Sequence, residues 1–258
     1  LHNGNVQLWE VAHRQEFVRL TGEGTHHVAF HPHGRLAVVL DETRLRIWDL
    51  TLHALAADVP LAGYWSPVFH PRGDHLMVAS ESGLHVIPFS HLDAEQPHHI
   101  SVGPARILWR SPFIHEATIS PDGAKVAVLR TVGPNLILDW NQPEKQVVLE
   151  GHKNAQSIEF SADGRRLATS TWKGQGVWIS DALTGQVARK LSGVDGSARV
   201  AFSADGRWLG TSEPTGYQIW DADGERVHKT MSGQGTEIPG AMAFAPNNES
   251  NRALLIDR

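Results

Sequence analysis

A short motif returns along this chain at a nearly constant interval: an apolar-x-aromatic triplet, a four-residue turn, an apolar strand, a polar turn and an alternating strand. Copies read VAFHPHGRLAVVLDETRLRIWDL from Val28, PVFHPRGDHLMVASESGLHVIPF from Pro67 and ATISPDGAKVAVLRTVGPNLILDW from Ala117. IEFSADGRRLATSTWKGQGVWISD follows from Ile158, VAFSADGRWLGTSEPTGYQIWD from Val200, and a shorter copy from Met242. The anchors Phe30, Phe69, Ile119, Phe160, Phe202 and Phe244 stand 39, 50, 41, 42 and 42 residues apart. Roughly 40–45 residues is the period of a four-stranded propeller blade. Each such sheet has two apolar faces, and only stacking on neighbouring sheets removes both from water. The pattern predicts an all-β chain, a β-propeller of four-stranded antiparallel blades, with almost no helix. The repeats fall at about 1–20 (partial), 21–60, 61–110, 111–151, 152–193, 194–233 and 234–258 (partial).

Local turn chemistry agrees with the period. In Ser120-Pro121-Asp122-Gly123 the Ser starts a turn, Pro pre-sets the second position and Gly accepts a positive φ at the last. His31-Pro32-His33-Gly34, His70-Pro71-Arg72-Gly73, Ser161-Ala162-Asp163-Gly164 and Ser203-Ala204-Asp205-Gly206 repeat the design, each joining two short strands as a hairpin. Third strands alternate, as in Leu45-Arg46-Ile47-Trp48, and the more polar segments that follow read as outer edges.

Composition removes several function classes. With no Cys among 258 residues there is no disulfide framework, zinc-thiolate site or cysteine nucleophile, although this does not settle the compartment. Net charge is −5 without a basic block, which argues against nucleic acid as a partner. No apolar run reaches the roughly 18 residues that span a bilayer, so no direct membrane insertion is expected. The cytoplasm is the expected location, with an extracytoplasmic one open if a parent chain spans a membrane. Both ends fall inside strand-like segments, LHNGNVQLWE and NRALLIDR, which raises the expectation of a piece of a longer protein.

Trp48-Asp49, Trp220-Asp221 and the near match Trp9-Glu10, with Gly151-His152, resemble the signature pairs of the WD-repeat β-propeller family. Ser180-Asp181, Pro88-Phe89 and Leu138-Asp139 stand at the corresponding places of other repeats. The family's buried His-Ser/Thr-Asp-Trp network therefore cannot be completed in any one repeat, and apolar packing must carry more of the stability. Trp48, Asp49, Gly151, His152, Asp181, Trp220 and Asp221 are the expected repeat-signature structural residues. The second half is similar to the repeat region of large bacterial proteins in many of which a Ser/Thr protein kinase domain precedes the repeats. No Gly-rich loop, HRD or DFG motif occurs in this chain. Because a further repeat follows this point in those proteins, a seven-bladed ring lacking a blade is preferred to a closed ring of six.

What the resemblance implies is a scaffold that binds a protein or peptide on one loop face, within a larger signalling protein, using no cofactor, no metal and no catalytic residue. That face would carry Tyr64, Trp65, Trp109, Arg110, His152, Trp172, Lys173 and Glu213, and Trp, Tyr and Arg are the residue types that dominate interface hot spots. Trp65 and Trp109 could instead tuck between sheets. Trp172-Lys173 replaces polar turn residues at a tip with little core to enter, so Trp172 is the best single candidate. A ligand-sensing propeller of a receptor-like kinase and a propeller enzyme are the alternatives. His26, His27, His31 and His33 lie close together, but their spacing matches no zinc site and two sit at turn positions filled elsewhere by Ser and Asp. Asp122, Asp163 and Asp205 each precede the turn Gly, so turn chemistry explains them better than catalysis. The stretch Ser90–Glu116 lengthens one repeat to 50 residues, either as a functional loop or as a longer outer strand with its connector.

Overall fold

The computed structural model describes residues 6–10, 15–20, 27–91, 100–171, 176–191, 193–194, 199–213, 216–232, 241–244 and 253–256. Among them there is no helix: each repeat becomes an antiparallel sheet whose strands pair in chain order, except that two short strands share one edge in the second complete sheet. The chain divides into two units, Leu1–Phe113 and Ile114–Arg258.

The first unit begins with the pair β1 (Val6–Glu10) and β2 (Gln15–Leu20). A four-stranded sheet follows, made of β3 (His27–Phe30), β4 (Leu36–Leu40), β5 (Arg44–Asp49) and β6 (Ala54–Pro60). The next sheet contains β7 (Tyr64–Phe69), β8 (His75–Ser80) and a nine-residue β9 (Gly83–His91). Two short strands divide the outer edge of β9: β10 (Ile100–Val102) pairs with its C-terminal half and β11 (Arg106–Arg110) with its N-terminal half. The extra length of this repeat thus becomes a longer outer strand and its connector, of which residues 92–99 lie outside the described residues.

The second unit contains three complete sheets. The first is β12 (Ile114–Ile119), β13 (Lys125–Arg130), β14 (Asn135–Asp139) and β15 (Gln146–Leu149). The second is β16 (Ala155–Phe160), β17 (Arg166–Thr171), β18 (Val177–Asp181) and β19 (Val187–Lys190). The third is β20 (Arg199–Phe202), β21 (Trp208–Glu213), β22 (Gly216–Asp221) and β23 (Val227–Ser232), with the pair β24 (Ala241–Phe244) and β25 (Ala253–Ile256) beyond it. First strands of successive sheets pack together, β12 on β16, β16 on β20 and β20 on β24, as β3 does on β7 in the first unit. These sheets are propeller blades of the expected kind.

Second strands are buried on both faces, hence the continuous apolar runs LAVVL and VAVL, whereas β5 alternates, β14 is buried along most of its length, and fourth strands are mostly exposed. Phe69 packs in a cluster with Leu36, Val38 and Ile47, Phe160 with Ala127, Leu129 and Ile137, and Phe202 with Ala168, Val177 and Ile179. The anchor of each of these repeats therefore closes the interface with the sheet before it. Phe30 differs at 54% exposure.

Turn residues act as their chemistry predicts. Ser120 Oγ donates to Asp122 Oδ1 at 2.6 Å and accepts the Lys125 N–H, while Gly123 adopts a φ of 73°. Ser161 and Ser203 do the same. In the two His versions the ring takes over: Nδ1 of His31 accepts the His33 N–H, and Nδ1 of His70 accepts the Arg72 N–H. His31 is not at the surface, as a plain turn reading implies, but only 2% exposed. Its Nε2–H donates to the Gly73 carbonyl at 3.0 Å, joining the turn of one sheet to that of the next. A buried imidazole with both nitrogens engaged is a structural group, and among the described residues no cluster of three or more metal-ligand side chains occurs.

Candidate functional site

The signature aspartates hold backbone. Asp181 Oδ1 accepts the N–H groups of Leu183 and Thr184 and the Thr184 hydroxyl. Asp221 accepts those of Glu225 and Arg226, and Asp49 those of Thr51 and Leu52. Asp49 also receives Arg35 at 2.6 Å; burial pushes its carboxyl up, but Arg35 and Thr51 outweigh that and hold it at about 2. The hydrogen-bond network that the resemblance implies is present in halves. Thr169 Oγ1 lies 3.3 Å from His152 Nδ1 in one sheet, and in the next the Trp220 indole donates to Thr211 Oγ1 at 3.1 Å.

His152, expected on the partner face, does not belong there. It is 3% exposed, its ring lies 4.2 Å from that of Trp178, and its carbonyl accepts the Asn135 side-chain amide. A side chain so enclosed contributes packing, not contact. Gly151 beside it adopts a φ of 130°, and a Cβ there would meet the Trp178 ring at 2.8 Å. Glu213 ends β21 half-buried. Trp172 and Lys173 lie outside the described residues.

Four of the expected residues lie at the same end of the β7–β11 sheet, Tyr64 and Trp65 on β7 and Trp109 and Arg110 on β11, with β8 and β9 between the two pairs. Tyr64 and Trp65 open β7, where Tyr64 pairs with Ser80 and a bulge interrupts the register between Trp65 and Val68. Ser66, inside that bulge and ahead of Pro67, has a φ of 51°, an uncommon conformation for a residue with a side chain. Trp109 and Arg110 close β11 opposite Leu84 and Gly83. Gly83 permits this approach: with φ at 139°, a Cβ would lie 2.1 Å from the Trp109 carbonyl oxygen. The Ser111 N–H then reaches the Ser82 carbonyl at 3.3 Å, and two residues on Phe113 stands 57% exposed at a φ of 63°. Strained backbone of this kind collects at ligand clamps and binding loops. The two tryptophans are half-buried and Arg110 is exposed.

Three residues at this end were not singled out by sequence: Ser82, His85 and Phe113. His85 is 7% exposed, with Tyr64 Oη 3.4 Å from its Nδ1 and Ser82 Oγ 2.9 Å from its Nε2. Burial, and then the charge of Arg110, hold its imidazole below the ordinary histidine range. His85 shares the inward side of its third strand with Ile87 and Phe89, and a histidine in that alternation was the available signal.

A second set of ionisable groups lies on the first strands of the second unit. Glu116 of β12 accepts the Ile158 N–H of β16, and Glu159 of β16 accepts the Phe202 N–H of β20. Burial pushes Glu116 up to about 7 against the pull of Arg199 and that N–H. Burial, aided by the charge of Glu116, pushes Glu159 up to about 8. Each carboxylate serves the unpaired edge of the next first strand, and among the described residues no third carboxylate joins the pair. A cleft of about 350 Å³ between β18–β19 and the turn after β22 is crossed by the ion pairs Arg166–Asp223 at 2.6 Å and Arg189–Glu225 at 2.8 Å.

Comparison with known proteins agrees with the sheets. Residues 143–175 match the family described as WD domain, G-beta repeat. That segment runs through β15, β16 and β17, from the last strand of one sheet through the first two of the next. No curated protein matches the chain. Propellers of this repeat are generally scaffolds that bind protein partners and are typically non-catalytic.

Proposed function

Proceeding from a chain of WD-type sheets, we propose that it is a protein-interaction scaffold whose docking surface is the loop end of the β7–β11 sheet. The observation that carries the reading is the placement of Tyr64, Trp65, Trp109 and Arg110 at one end of this sheet, with the exposed, strained Phe113 three residues after Arg110. Rigid aromatics next to one arginine form a hot-spot composition, offering large contact area at little cost in side-chain entropy. The partner is a protein or peptide, and Trp172, Lys173 and Glu213 are further contact residues in the second unit. Resemblance to kinase-associated repeat regions supports a place in a larger signalling protein.

The test is site-specific photocrosslinking from position 110 in cells, followed by identification of the adduct and titration with the purified partner. Arg110→Glu combined with Phe113→Ala is expected to weaken binding at least about tenfold while Tm stays within a few degrees, because both side chains are exposed. Unchanged affinity in that double variant would refute this docking surface. A separate Trp172→Ala variant tests the second set of contacts.

A further inference from the structure

At the same end of the β7–β11 sheet, Ser82, His85 and Tyr64 form a chain of polar contacts that docking does not require. Ser82 is exposed at the tip of the turn between β8 and β9. Its N–H donates to Ser80 Oγ at 3.1 Å, and the Ser80 hydroxyl, 3.3 Å from the Gly83 carbonyl oxygen and 3.0 Å from Ser82 Oγ, leaves the Ser82 proton to His85 when it donates to Ser82. Those contacts tie the turn together, and Gly83 is the one residue there whose lack of a Cβ lets the Trp109 carbonyl approach. Ser82 Oγ is held 2.9 Å from Nε2 of the buried His85, with Tyr64 Oη 3.4 Å from the other ring nitrogen and the two rings edge-on at 5.0 Å.

We propose that Ser82 is an activated nucleophile that takes acyl groups from esters, with His85 as its general base and Tyr64 as the residue that orients the imidazole. An exposed hydroxyl, a base within hydrogen-bond reach and a group on the far ring nitrogen are the three geometric parts of nucleophilic catalysis. When Nδ1–H donates to Tyr64 Oη, Nε2 presents its lone pair to the Ser82 hydroxyl. The neutral state that this needs is the one that burial and Arg110 favour. Ser82 Oγ attacks the ester carbonyl carbon as its proton passes to His85 Nε2. The new Oγ–C bond replaces the C–O bond to the leaving alcohol, which departs with the proton from Nε2. Arg110, at the end of the adjoining strand, is the nearby cation for the oxyanion that forms on the way. Water then cleaves the acyl-serine and restores the hydroxyl.

The experiment treats the purified chain with p-nitrophenyl acetate and, separately, with a fluorophosphonate probe. It reads phenolate release and locates the adduct by peptide mass spectrometry. One adduct per chain, at Ser82, is expected, with none in Ser82→Ala. His85→Gln is expected to slow labelling about 100-fold or more, and Tyr64→Phe to slow it several-fold. The pH profile gives a reading that needs no variant of the buried histidine. A rate set by a base that is already neutral is flat from pH 7 to 9, whereas an unassisted serine reacts about tenfold faster per pH unit. Labelling of Ser82 no faster than of other exposed serines, an unchanged rate in folded His85→Gln, or a rate that tracks hydroxide would each overturn the proposal.

Discussion

The indole N–H of Trp220 donates to Thr211 Oγ1 at 3.1 Å, inside a cluster that includes Leu209, Phe202 and Ile179. Trp48 holds the same register position in the β3–β6 sheet, since it faces Ala37 as Trp220 faces Leu209. Val39 stands there in place of Thr211, and the buried Trp48 Nε1 has no hydrogen-bond partner. Thr211→Val is expected to orphan a second indole and cost ~1–3 kcal/mol. Val39→Thr supplies the missing acceptor and is expected to gain up to ~1 kcal/mol. Urea unfolding of both variants measures the two changes, and loss of stability in Val39→Thr would mean that the indole does not reach the new hydroxyl.

Ser180 takes the tryptophan position of the β16–β19 sheet, fully buried, and its Oγ has no hydrogen-bond partner. A buried unmet hydroxyl costs ~1–3 kcal/mol, so Ser180→Ala is expected to raise stability by ~1 kcal/mol. Calorimetry should show a higher Tm than the parent.

Gly34 and Gly73 both end His-type turns at φ values of 72° and 76°. A Cβ on Gly34 meets nothing within 4 Å, while one on Gly73 would lie 2.4 Å from His31 Nε2. Gly34→Ala is expected to cost only the left-handed strain, ~1 kcal/mol. Gly73→Ala adds the displacement of a buried ring and the loss of the His31–Gly73 hydrogen bond, for a total of ~3 kcal/mol or more. Equal Tm losses in the two variants would show that the ring yields freely.

Glu116 and Glu159 titrate higher in the folded chain than in the unfolded one, at about 7 and about 8. Their contribution to stability is therefore fully present below the unfolded carboxyl range and is lost as pH rises through 7 and 8. The charged groups acting on the pair are Arg199 on β20 and the two carboxylates themselves, with His115 beside them on β12; β24 carries only Ala, Met and Phe. Asp49 works in the opposite sense, since its carboxyl is held at about 2 and its contribution is lost as pH falls below about 4. Tm is expected to be highest at roughly pH 4 to 4.5, to fall by several degrees from there to about pH 8, and to level off above it. Glu116→Gln with Glu159→Gln should flatten the alkaline side while leaving the acid side unchanged.

The repeat, the turn chemistry and the outer-edge reading of the fourth strands were all legible in the sequence. They rest on interactions between residues a few positions apart, where alternation, Pro and Gly act directly. The shared end of the sheet on which Tyr64, Trp65, Trp109 and Arg110 lie was legible because a repeat places equivalent loops at one end of each sheet. His152 was misjudged for the same reason: its position in the repeat was right, but burial against Trp178 and the contact with Thr169 depend on the neighbouring strands.

By itself the sequence determined that this chain is all-β, where each sheet starts, and which side chains cap its turns, because those outcomes follow from period and local backbone geometry. The tertiary structure alone decided that His31 is buried against Gly73 and that two glutamates serve the next strand's edge. It also decided that Ser82, His85 and Tyr64 meet. Those contacts join different strands or different sheets, so their chemistry is set by register and stacking, which no short stretch of the chain encodes.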